Sequence, residues 1–246
     1  MKECIIGIAG HKNSGKDTVA SMINYIFVTG ITRSNYADYV IRRKSIDISH
    51  KDRIIHFADS MKDAMSIIFS IPRSAFDDRV KKDNEYWDYF NRKFITFGEV
   101  IRNKNHYIVD NIIDNNLNNV IQYSAAKKRN LYIKLRALMQ YFGTDICRNY
   151  IDNNIWINST MSKVIDIAIS RTLCIIPDVR FANEANAIRN NDKLLYGGLI
   201  KINRDNQDLD EHNSECINFD VDFEIDNNGN LMQLFYKVLE ICQKIK

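Results

Sequence analysis

The stretch CIIGIAGHKNSGKDTVASMINYIF, residues 4–27, constrains this chain more than any other. CIIGIA is apolar or small throughout and reads as a buried strand. Gly10 to Lys16 then spell G-x-x-x-x-G-K. From Lys16 onward Val19, Ala20, Ile23 and Phe27 share one helical face. A strand that enters a glycine loop and leaves as a helix gathers inward-pointing N–H groups at the positive end of the helix. Gly10 and Gly15 let the backbone turn, and Lys16 adds a point charge. Together they form a cradle for phosphate. The usual motif follows its lysine with Ser or Thr, whose hydroxyl holds Mg²⁺. Here Asp17 follows, and Thr18 comes one place later.

The rest of the chain alternates in the same manner. RIIHFA (53–58) predicts a strand, and Asp59 then caps a helix that runs to about Phe69. Residues 29–52 are polar and irregular and predict a loop or small hairpin. Residues 103–130 are rich in Asn, which disfavours long regular structure, and read as an insertion. Helical spacing returns over 131–151, with Gly143 as the expected break. A further helix is expected over 156–170. TLCIIPD (172–178) predicts a buried strand that ends in an acid, followed by a helix over 180–190. GLIKINR (198–204) and VDFEID (221–226) read as strands, and 231–245 as a C-terminal amphipathic helix. Alternating strands and helices predict an α/β fold, a parallel sheet with helices on both faces. No internal repeat and no domain boundary stands out.

Composition narrows the function classes. At 246 residues, with 45% hydrophobic and 26% charged residues, the chain is ordinary globular protein. Its net charge of +3 is too small to argue for nucleic-acid binding. The five cysteines form no C-x-x-C pair and fit a reduced, intracellular setting. No apolar run approaches the ~20 residues that span a bilayer, and the start does not read as a signal peptide.

Several residues could carry chemistry, each with a plainer alternative. Asp17 suits Mg²⁺ as a hard oxygen ligand, and equally complements the dipole of the first helical turn. Thr18 could reach a phosphate or cap the turn. Asp178, at the end of a buried strand, suits a metal at the carboxyl edge of a sheet, or caps a helix. Arg180 and Glu184 are spaced as a surface ion pair. Arg136 and Gln140 share a helix face that suits a phosphate and a base edge, or only solvent. Arg73, Arg79, Lys81 and Lys82 could belong to a mobile basic loop that closes over phosphates, or to a solvated one. His212 and Glu215 could ligate a metal, although nothing nearby suits a structural zinc.

Six motifs resemble, in order, a known family. GHKNSGKDT, HFADSMKDA, RALMQYFGTDICR, Trp156, PDVRFANEA and HNSE occur as in the deoxynucleoside monophosphate kinases of bacteriophages and large DNA viruses. That family carries GKDT in place of GK[ST], with FAD-x-x-K, R-x-x-L-Q-x-x-G-T, D-x-R-F-x-N-E and H-x-S-E. Ser60 stands where it usually has Pro, and Met139 replaces its Leu beside Gln140. The resemblance covers the whole chain, with 28–52 and 103–130 as local extras. It implies a single P-loop kinase domain of the nucleoside monophosphate kinase type over residues 1–246, with a helical acceptor-binding or lid region.

The implied reaction moves a phosphoryl group from Mg·ATP to a deoxynucleoside 5′-monophosphate (dNMP). Gly10, Asn13, Ser14, Gly15, Lys16, Asp17 and Thr18 would hold ATP, and Asp17 with Asp178 would hold Mg²⁺. Asp59, Lys62, Arg136, Gln140, Trp156, Asp178, Arg180 and Glu184 would serve the acceptor. Lys16, Asp17, Arg136 and Arg180 would act in catalysis. Trp156 would stack on the base or pack on the adjoining helix. The implied partner is a small-molecule substrate, with no stable nucleic acid and no membrane; a homodimer stays open. The expected location is the cytoplasm. Two alternatives remain at this level: a kinase of another small phosphorylated metabolite, such as phosphomevalonate, and a nucleotide-binding regulator without activity.

Overall fold

The computed structural model describes residues 3–103, 105–110, 117–191, 195–205 and 218–245. In chain order the first elements are β1 (Cys4–Gly10), α1 (Lys16–Thr29), α2 (Tyr36–Ser49) and α3 (Phe57–Phe69). Next come α4 (Arg79–Asp83), β2 (Glu85–Asp88), β3 (Lys93–Thr96), α5 (Phe97–Arg102), β4 (His106–Val109), α6 (Leu117–Ala126) and β5 (Asn130–Lys134). α7 (Leu135–Gln140) leads into a π-helix, Tyr141–Ile151. The chain closes with α8 (Ile155–Arg171), β6 (Leu173–Val179), α9 (Ala182–Arg189), β7 (Tyr196–Asn203), β8 (Phe223–Asp226) and α10 (Leu231–Lys244). Spatially the chain forms two compact units, Met1–Phe57 with Ile157–Lys246, and Ala58–Trp156.

The first unit is built on an all-parallel sheet in the order β6-β1-β7-β8. Its strands read as continuous apolar runs because both faces are covered. Alternation decides which side chain goes where. Cys4, Ile6 and Ile8 pack with Ile175, Ile200 and Ile202 against α1, α2 and α10. Ile5 and Ala9 pack with Cys174, Ile176 and Leu199 against α8 and α9. α1 follows β1 onto one face, and α9 follows β6 onto the other. Adjacent strands whose following helices diverge leave a crevice at their carboxyl ends. The phosphate-loop sequence leaves β1 at that point.

Near this crevice the ladder slips. Gly7 pairs with Ile176, but Ala9 pairs with Val179, so β6 carries one extra residue at Pro177–Asp178. Such a bulge re-aims a side chain and tolerates a proline that cannot donate.

The second unit holds a mixed sheet in the order β3-β2-β5-β4, which the sequence pattern did not announce. β2 pairs antiparallel with β3 and β5, and β4 pairs parallel with β5. Trp87, Leu131 and Ile133 lie in a core with Met65, Phe76 and Leu138.

Five expectations change. Residues 29–52 hold α2, which Asn35 caps by accepting the Asp38 N–H at 2.9 Å. Only Tyr39 and Ile46 of this helix are buried, so its apolar pattern is sparse. The strand expected over 53–58 shrinks to one parallel bridge, Ile54 to Ile175, because α3 already begins at Phe57. The described residues of the Asn-rich stretch 103–130 include regular elements: β4, α6 and the start of β5. Residues 131–134 extend as β5 rather than coil, since their alternating side chains fill both faces of the mixed sheet. Gly143 does not break the following helix. Met61 Sδ occupies the space a Cβ would need there, so the glycine serves close packing.

Candidate active site

The loop between β1 and α1 adopts a conformation its residue types allow. Asn13 has φ 65° and Gly15 φ 101°, both in the left-handed region. A Cβ on Gly15 would lie 2.6 Å from Asn227 Nδ2, and one on Gly10 would lie 2.8 Å from the Ile202 carbonyl oxygen. Lys16 Nζ turns back to donate to the carbonyls of Gly10 at 2.6 Å and His11 at 2.5 Å. Ser14 is fully buried, and its Oγ has no hydrogen-bond partner among the described residues. An orphaned buried hydroxyl inside a loop of N–H groups fits a ligand that brings acceptor oxygens. Gly15 is the N-cap of α1 and brings no side chain, so the first N–H groups of the helix are not taken by a capping side chain.

A residue that the motif does not contain holds this loop. Asn227, just beyond β8, is only 9% exposed. Its Nδ2 donates to the Ser14 carbonyl at 2.8 Å, and its own N–H donates to Asn203 at 2.7 Å. The asparagine thus ties the loop to the far edge of the sheet. It was invisible in the sequence, lying 213 positions from Ser14. The only signal is its place after a strand, in the run DNNGN.

Asp17 is exposed in the first turn of α1, and Thr18 is half-buried. Asp178 Oδ1 accepts the Phe57 N–H at 3.0 Å, so the strand-end acid does meet a helix start, but that of α3 rather than α9. Among the described residues no three His, Cys, Asp or Glu side chains gather as a metal cage. Mg²⁺ is usually held by one or two carboxylates together with phosphates and water. An exposed aspartate beside a phosphate loop, with a second at a strand's carboxyl end, fits that kind of site.

Glu184 lies buried, at 2% exposure, rather than on a solvated face. Its carboxylate accepts the main-chain N–H groups of Arg180 at 2.8 Å and Phe181 at 3.2 Å, which fixes the turn into α9. Arg180 is therefore presented from a loop whose backbone the neighbouring glutamate holds.

In the second unit Asp59 and Lys62 join a charged network. Lys62 Nζ lies 3.4 Å from Asp59 and 2.8 Å from Asp77. Arg73 reaches Asp59 at 2.9 Å, and Asp63 and Asp77 at 2.6 Å each. Burial works to raise the Asp77 carboxyl, but the hydrogen bonds and charges of Lys62 and Arg73 outweigh it and hold the group below its ordinary value. On α7, Leu135, Ala137 and Leu138 face the core, which leaves Arg136 and Gln140 on the exposed side. Arg136 binds Asp83, with Nη2 at 2.6 Å and Nε at 2.7 Å from the same oxygen. Trp156 is 7% exposed and donates its indole N–H to Gly143 at 2.9 Å, so it packs on the adjoining π-helix.

The run that holds Arg73, Arg79, Lys81 and Lys82, read from sequence as a mobile or a solvated loop, is part of a folded segment over 73–93. It contains a short 3₁₀ turn, α4 and β2, with Phe76 and Trp87 buried as anchors. His212 and Glu215 of HNSE lie outside the described residues. Cys4, Cys147, Cys174 and Cys242 are free and buried. Burial pushes the Cys4, Cys174 and Cys242 thiols up to about 12, which leaves them inert as nucleophiles.

No described helix is long and apolar enough to cross a membrane. Comparison with curated proteins finds no match. A family model described as deoxynucleotide monophosphate kinase matches residues 4–238. The match includes the α2 segment and the Asn-rich stretch as well as the phosphate loop. With the glycine cradle, the buried orphan hydroxyl and that match over nearly the whole length, the chain belongs to the deoxynucleotide monophosphate kinase family.

Proposed function

We propose that the chain transfers the γ-phosphoryl group of ATP to a deoxynucleoside 5′-monophosphate, yielding ADP and a deoxynucleoside diphosphate. The observation that carries this reading is the loop from Gly10 to Thr18, with its left-handed Gly15, its lysine folded over the loop and its unpartnered Ser14 hydroxyl. The N–H groups of Asn13 to Thr18 would hold the donor's phosphates. Lys16 would leave the Gly10 and His11 carbonyls for the β- and γ-phosphate oxygens. Asp17 and Asp178 would hold Mg²⁺, which when bound offsets phosphate charge and orients the chain of phosphates.

An oxygen of the acceptor's 5′-phosphate would form the new bond to γ-phosphorus as the bond to the β-phosphate oxygen breaks, and ADP would leave with that electron pair. The attacking oxygen is already anionic, so no strong general base is required. The protein's part is positioning and charge neutralisation. Arg180 would clamp the acceptor phosphate, with its backbone fixed by Glu184. Arg136 would do the same from α7, bidentate where its fork allows. Gln140, on the same exposed face, would reach a base edge. Asp59 and Lys62 would flank the acceptor, with Lys62 pre-oriented by Asp77.

The test is ADP release in a coupled assay against dNMPs, ribonucleoside monophosphates and phosphomevalonate. Release that depends on a dNMP and stops when Mg²⁺ is chelated is the expected outcome. ATP binding without acceptor-dependent release would support the inactive-regulator alternative instead.

A further inference from the structure

The basic segment 73–82 looks uniform in sequence, but the structure separates its cations. Arg73 is committed to Asp59, Asp63 and Asp77. Lys81 Nζ lies over the Phe94 ring, 5.4 Å from its centre. Lys82, on α4, is half-buried, and its ammonium makes no ion pair or hydrogen bond among the described residues. The two carboxylates whose charge favours its ammonium are already engaged: Asp83 by Arg136 at 2.6 Å, and Asp77 by Lys62 at 2.8 Å and Arg73 at 2.6 Å.

Lys62 and Arg136 also act on Lys82 through space. Burial comes first and these two charges second, and together they push its ammonium below the ordinary lysine value; Asp77 and Asp83 oppose this without reversing it. A half-buried cation with no counterion, next to two more cations, is costly by itself. An anion entering between them would offset that cost. Helix α4 is anchored for the purpose: Asp78 caps it by accepting the N–H groups of Val80 at 2.9 Å and Lys81 at 3.2 Å.

We propose that Lys82 is a direct ligand of the acceptor's 5′-phosphate, acting with Lys62 and Arg136. The proposal rests on the phosphoryl-transfer reading above and adds a residue that none of the motifs contains. A 5′-phosphate carries a charge near −2 at neutral pH. Arg136 offers it a planar fork and Lys82 a compact point charge.

The test compares wild type with Lys82→Met and Lys82→Arg in steady-state kinetics with ATP and a dNMP. Lys82→Met should raise the acceptor KM about 10- to 100-fold, the range expected for a hydrogen bond to a charged group. The KM for ATP should stay within about twofold, and Tm should not fall, because an unpaired charge has been removed. Lys82→Arg should recover most of the acceptor KM. In wild type, acceptor affinity should weaken at alkaline pH, below the ordinary lysine range, and Lys82→Arg should move that limb upward. An unchanged acceptor KM in Lys82→Met, with dNMP turnover intact in wild type, overturns the role of Lys82 alone. A lower Tm with both KM values raised reduces it to a structural residue. No dNMP-dependent turnover in wild type overturns this proposal together with the reading it rests on.

Discussion

Lys16 bridges two loop carbonyls, and a bound phosphate chain would give its ammonium better acceptors. Lys16→Ala should lower turnover about 10²- to 10³-fold, the scale for removing one preorganised charge stabiliser. Asp17→Asn should reduce turnover and shift the Mg²⁺ requirement to higher concentration in a metal titration; kinetics like wild type would remove Asp17 from the metal site. The cradle was legible in the sequence because few residue types tolerate the φ of Gly15 or the tight space at Gly10. Glu184 was not. Spacing suggested a surface pair, whereas the side chain is buried on the turn into its own helix. Trp156 was legible as a large aromatic but not by its partner, since a backbone carbonyl 13 positions earlier leaves no mark in a pattern. Lys82 looked like any other lysine of its run; only the commitments of its neighbours single it out.

At the level of elements, periodicity succeeded wherever a segment buries a full face. β1, β6 and β7, and helices α1, α8 and α10, appear close to where their apolar patterns put them. It failed where burial is sparse or conditional. α2 buries Tyr39 and Ile46 while the rest of its side chains stay in or near solvent. β5 reads as helix because its apolar residues run straight into those of α7. The segment at Ile54 keeps its place at the sheet edge but cedes its strand to the helix that starts at Phe57. The tie between Asn227 and Ser14 likewise joins elements that no local rule connects. Asn227→Ala removes a buried hydrogen bond worth about 1 kcal/mol net, more if the Ser14 carbonyl is stranded. It should weaken ATP binding several-fold in calorimetry while leaving acceptor KM near the wild-type value. Loss of both affinities in equal measure would mean that the asparagine supports the fold in general rather than the loop.

Over the whole molecule, each unit has its own core and its own share of charged groups. The phosphate loop with Asn227, Asp178 and Arg180 belongs to the first; Lys62, Lys82 and Arg136 belong to the second. Donor and acceptor should therefore leave separate footprints in hydrogen exchange. A non-hydrolysable ATP analogue should protect amides in 10–20 and near 227, and a dNMP alone should protect amides in 59–83, in 135–140 and around Arg180. Identical footprints for the two ligands would contradict this division. The α/β class was legible because a parallel sheet covered on both faces imposes apolar strands between amphipathic helices. The mixed sheet was not, since its strands, such as Glu85–Asp88 and Lys93–Thr96, are short and interleaved with charge.

The central claim is a phosphoryl transfer to a deoxynucleotide, and the most direct measurement follows the phosphorus itself. Wild-type protein is incubated with Mg²⁺, γ-labelled ATP and a set of dNMPs, and the labelled products are separated. The account predicts label in the β-phosphate of a deoxynucleoside diphosphate, lost in Lys16→Ala. Label that appears only as free phosphate, or on no dNMP at all, would contradict it.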